Sequence, residues 1–110
     1  MSEETLRRIE AAIKSIEAGS SPKRPELLGL LKTLKTEVEG LAGTHGEQAH
    51  SIAGYAAVAA YEASRKQKAQ DMLDHSVSGL SLSVEGFEAS HPKLVETVNN
   101  ICTMLAGIGV

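Results

Sequence analysis

The chain has 110 residues, 42% of them hydrophobic, with one Phe, two Tyr, no Trp and a formal net charge of −3. That length suits one domain, the thin aromatic content leaves Leu, Ile, Val and Ala to build the core, and the acidic balance argues against a dedicated nucleic-acid binder. A lone cysteine, Cys102, excludes an internal disulfide and cysteine-based zinc motifs, and no apolar run approaches the roughly 20 residues that cross a bilayer.

Ser2-Glu3-Glu4 reads as an N-cap followed by acids in a first turn, where the helix dipole favours them. The start lacks the basic-then-apolar pattern of a secretory leader; with the lone thiol, this predicts a cytoplasmic protein. Leu6, Ile9, Ile13 and Ile16 alternate steps of three and four, the spacing of one stripe on an α-helix. The first helix runs over about 3–18, and Gly19 stops it. Leu27, Leu31, Leu34, Val38 and Leu41 repeat the pattern over 25–42, and Leu28 and Leu30 widen that face enough to touch two neighbours. The short turn between makes these two helices antiparallel neighbours.

Gly40, Gly43 and Gly46 interrupt an apolar phase that otherwise continues through Leu41, His45, Gln48, Ile52 and Tyr55. Each glycine costs about 1 kcal/mol in a helix interior, so a break is predicted, with Thr44-His45-Gly46-Glu47 as a capping box that starts a third helix over 46–63. That helix is rich in alanine: Ala53, Ala56, Ala57, Ala59, Ala60 and Ala63. Two readings stand: a tightly packed helix with Tyr55 and Tyr61 at its edges, or a docking surface for another helix. Its weak large-residue seam makes it the segment expected to be most mobile alone. Leu73, Val77, Leu80, Val84 and Phe87 predict a fourth helix over 70–89. Ser90-His91-Pro92 then ends it, because the residue before a proline is pushed out of the α region. Leu94, Val98, Ile101, Leu105 and Ile108 carry a fifth helix from Pro92 to about Gly107.

Chemistry is sparse. His45 and His50 are five apart and share no helical face. Asp71 and His75 can share one, but two ligands make a poor metal site. No Ser–His–Asp order, Gly-rich phosphate loop or carboxylate pair stands out, so no catalytic, cofactor-binding or metal-binding residue is assigned. Cys102 reads as a buried, inert small hydrophobe. The basic clusters Lys23, Arg24, Lys32, Lys35 and Arg65, Lys66, Lys68 read first as solvated faces and second as phosphate contacts. Tyr55, Tyr61, Phe87 and His91 form the candidate interaction surface.

The run Val84-Glu85-Gly86-Phe87-Glu88-Ala89-Ser90-His91-Pro92, with Leu94 and the closing Leu105-Ala106-Gly107-Ile108-Gly109, resembles the C-terminal signature of a bacterial family of short proteins known only as a domain of unknown function. Ser2 to Arg7 and the leucine-rich second helix are similar to it too, while Gly43 to Lys68 resembles a longer subgroup. The resemblance implies a small, helical, cytoplasmic bacterial protein. It supplies no catalytic residue, cofactor or substrate.

Taken together, the residues predict a single all-α domain over 1–110: a hairpin over 1–43, an Ala-rich middle helix and polar connector over 44–69, and a second hairpin over 70–110. The architecture expected is an antiparallel, coiled-coil-like helical bundle with 3.5-residue apolar seams, closed by formation of a two-fold homodimer. The function expected is a non-enzymatic scaffold or adaptor that binds itself or an unidentified protein partner. A nucleic-acid-associated regulator using the basic clusters at 23–35 and 65–68 is the alternative. A small enzyme or ligand carrier ranks last, for want of convergent polar groups.

Overall fold

The computed structural model describes residues 3–19, 21–67 and 69–109; the Ser2 cap and Lys68 of the second basic cluster lie outside them. Among the described residues five helices follow in order: α1 Glu3–Ala18, α2 Arg24–Ala42, α3 Gly46–Ser64, α4 Gln70–Ser83 and α5 Pro92–Gly109. There is no strand among the described residues. The fold is all-α.

Consecutive helices run antiparallel, so α1, α3 and α5 point one way and α2 and α4 the other. Side chains fix the register. Thr5 bonds His50 and Gly19 approaches Ser64, which places α1 alongside α3 in parallel. Lys35 reaches Glu10 across the antiparallel α1–α2 pair. Cys102 reaches the Val77 carbonyl across α4 and α5.

The leucine and isoleucine stripes fill the middle. Leu27, Leu31, Leu34, Val38 and Leu41 of α2 are all buried, as are Leu94, Val98, Ile101 and Leu105 of α5. The stripe on α1 is rotated from the expected one: Thr5, Ile9, Ala12 and Ile16 are buried, while Leu6 and Ile13 are only half covered. Small Thr5 and Ala12 leave room for a close neighbour, and that neighbour is α3.

The alanine helix is the centre of the bundle. Among the described residues it alone touches all four other helices, and its contact with α1 is the most extensive of the helix pairs. Its buried stripe is Ala49, Ala53, Ala56, Ala60 and Ala63, stepping four, three, four, three. A seam of methyl groups lets backbones approach closely. The helix with the weakest large-residue seam is therefore the hub, and most of its alanine face is already used inside the chain. Tyr55, assigned to the seam by its phase, is 43% exposed instead, because it lies across Gly79 of α4, where a Cβ would overlap its ring.

Two boundaries differ from expectation. The capping box before α3 does not form: His45 is the N-cap, with no side-chain cap, and the Thr44 hydroxyl lies 2.8 Å from its own neighbour's Nδ1. The chain does break at Gly43, as three glycines require. At the other corner α4 stops at Ser83, six residues short of the expected end. Gly86 takes φ +93°, a left-handed conformation natural only to glycine, and its N–H donates to Glu88 Oε2 at 2.8 Å. Val84 and Phe87 are still buried, but from a turn. Pro92 opens α5 as expected, with the His91 carbonyl accepting from Val95 N–H. No helix among the described residues is long and apolar enough to cross a membrane.

Candidate functional site

One side and both ends of the bundle carry different chemistry. On the side, five large hydrophobic residues are exposed: Tyr55, Val58, Tyr61, Met72 and Leu82. All lie on the adjacent helices α3 and α4. Val58 occupies the strip of α3 left open between α1 and α4. Tyr55 and Leu82 line one shallow groove with Ser51 and Gly79. Met72, two helical turns before Gly79 on the same face of α4, comes level with Glu62 of antiparallel α3. Glu62 closes that end of the strip. It is nearly buried, and Arg65 Nη1 donates to it at 2.9 Å while the guanidinium lies 5.7 Å from the Tyr61 ring centroid. A half-desolvated cation on an aromatic face contributes about 1 kcal/mol, so Tyr61 is held outward rather than merely left there.

At one end, where α2 and α4 finish, three rings meet edge to face. Phe87 lies 5.4 Å from His45 and 5.5 Å from His91, and the two imidazoles are 6.1 Å apart. Such pairs add about 0.5–1.5 kcal/mol beyond buried area. The trio ties the α2–α3 corner to the α4–α5 turn. The structure thus separates the four sequence candidates: Tyr55 and Tyr61 share the strip, while Phe87 is packed inward with His91 at the bundle end. Nearby, buried Thr5 meets His50 Nδ1 at 2.8 Å and pins the start of α1 to α3.

At the opposite end, α1, α3 and α5 finish around an open cavity of about 670 Å³. Lys23, Arg65 and Lys66 line it, so the two basic clusters meet there. Arg24 covers the end of α1 by donating to the Glu17 and Gly19 carbonyls. Lys35 lies three turns further along α2 and pairs with Glu10 at 3.5 Å, so the cations do not form one continuous stripe.

No group of three or more metal-ligating side chains occurs among the described residues. Cys102 is half-buried, and burial pushes its thiol up to about 11, which suppresses the reactive thiolate at neutral pH. Sequence reasoning missed Val58, Met72 and Leu82. Their signal was present: Leu82 falls between seam residues Leu80 and Val84, and an apolar residue off phase points away from the core. The convergence of Lys23 with Arg65 and Lys66 had no such signal, because it depends on how the helix ends meet.

These features define an all-helical bundle with an apolar outer strip and a cation-lined end. The chain belongs to the family described as a domain of unknown function, DUF4404, which matches residues 27–110 and so begins at the first buried leucine of α2. No curated protein and no solved structure matches the chain.

Proposed function

We propose that this protein is a non-enzymatic interaction module of the bacterial cytoplasm that pairs with a second copy of itself through the outer face of α3 and α4. The confinement of every exposed large hydrophobic side chain among the described residues to those two helices carries the reading. Large apolar residues scattered singly need no explanation, whereas a contiguous group marks an interaction site. Tyr and Met are among the residues enriched at interface cores. An antiparallel helix pair also presents a face that can be self-complementary about a two-fold axis.

Light scattering across a dilution series tests this. The chain weighs 11.6 kDa, and the expected mass is twice that, falling to the monomer value in Val58→Glu and Leu82→Glu. Both side chains are exposed, so the variants should keep the helical circular dichroism of the parent. A parent that is monomeric at every accessible concentration overturns the reading, as does a dimer that both variants leave intact.

A further inference from the structure

The cavity at the end of the bundle has the composition of an amphiphile site. Its wall is apolar where the helices meet: Ile16 from α1, Ala63 from α3, and Met104 and Ile108 from α5. Its volume of about 670 Å³ falls within the range of small-molecule sites, which pair mostly apolar walls with a few placed polar groups. The neutral polar side chains nearby are already engaged. The Ser64 hydroxyl donates to Ala60 O at 2.7 Å, and that of Thr103 to Asn99 O at 3.0 Å.

The charged side chains among the described residues that line the cavity are all cationic. Lys23 of the α1–α2 turn and Lys66 after α3 both line it, and among the described residues neither has an ion-pair partner. Arg65 lines it too, with its guanidinium already on Glu62. Among the described residues that line it, none is acidic. The finishing helices α1, α3 and α5 bring carbonyl ends here, which favour cations, but the α1 carbonyls are met by Arg24 rather than by the two lysines.

We infer that this cavity binds a free medium-chain fatty acid, its acyl chain against Ile16, Ala63, Met104 and Ile108 and its carboxylate between Lys23 and Lys66. The inference is independent of the strip on α3 and α4. It also supplies the convergent polar groups that the sequence alone does not show.

Sodium dodecanoate below its micellar concentration, titrated into the full chain by calorimetry, is the probe. The expected result is saturable binding of one dodecanoate per chain. Lys23→Glu combined with Lys66→Glu should weaken it at least tenfold. Gly107→Phe should abolish it: Gly107 lines the cavity, and a Cβ there meets nothing within 4 Å, so the added side chain starts in open space; unchanged helical circular dichroism checks that the fold is kept. Dodecanol should bind at least tenfold more weakly than dodecanoate. Absence of saturable binding overturns the proposal. So does binding that neither variant changes, dodecanol binding equal to dodecanoate, or association only with phosphatidylglycerol vesicles, which would make the lysines a contact for a lipid surface.

Discussion

The α1–α3 pair and the α2–α5 pair use the same three-four periodicity and pack in opposite ways. Between α2 and α5 the seam is Leu, Val and Ile on both sides, nearly all fully buried. Those side chains fill space and hold the helices apart by their own bulk. Between α1 and α3 the buried residues are mostly alanine on the α3 side, met by Thr5, Ile9, Ala12 and Ile16 of α1, and the small side chains let the two helices come close. At the edge of the pair the Arg8 guanidinium of α1 lies over Gly54 of α3, 2.5 Å from where a Cβ would sit. The periodicity tells which face is buried. Residue size tells how near the neighbour comes.

The largest effect should come from hollowing the large-residue pair. Leu34 is fully buried, and Leu34→Ala should cost about 3–5 kcal/mol by urea denaturation, the lost transfer energy plus the cavity left behind. A loss below about 1 kcal/mol would mean that α2 and α5 collapse onto the gap and do not hold a fixed spacing. The converse test is overfilling the small-residue pair. Ala53, next to Gly54 and fully buried, should not accept leucine: Ala53→Leu should cost about 1–3 kcal/mol through displaced backbone, despite adding apolar volume to a helix. Stabilisation in that variant would show the α1–α3 approach to be loose and would remove the contrast.

Helix number, the helix starts and the cores of α2 and α5 were legible because large apolar residues at fixed spacing leave few alternatives. What failed did so for identifiable reasons. Tyr55 keeps the seam phase but is pushed aside by the close passage of α4 at Gly79. Phe87 keeps it too, yet arrives in the core from a turn, because a single left-handed glycine can rejoin the apolar phase of the helix before it. The alanine helix has few large residues in its seam, yet its methyl groups are buried nearly as fully as the leucines; this is the tightly packed helix with Tyr55 and Tyr61 at its edges that one of its two readings gives. The candidate surfaces were legible only in part. Tyr55 and Tyr61 could be found, whereas the meeting of Lys23 with Lys66 belongs to the topology. Gly86→Ala tests the turn: a Cβ at φ +93° should cost about 1–2 kcal/mol, and a silent substitution would mean that the α4 helix can run on as its spacing suggests.

The smallest effect concerns Cys102, a titratable group lodged between α4 and α5. Cys102 of α5 points its thiol at the Val77 carbonyl of α4, 3.6 Å away, and burial raises it from 9.0 to about 11. In the unfolded chain the same thiol loses its proton first. Between pH 9 and about 11 the unfolded state therefore binds fewer protons than the folded one, and stability falls as pH rises. The contribution is intact below pH 9 and lost by the time the folded thiol has titrated. The reference is Cys102→Ala, whose stability should decline less steeply over that range when followed by urea denaturation. Parallel curves for the two proteins would mean that the thiol meets solvent in the folded state, and that α4 and α5 leave between them a gap that the tighter α1–α3 pair does not.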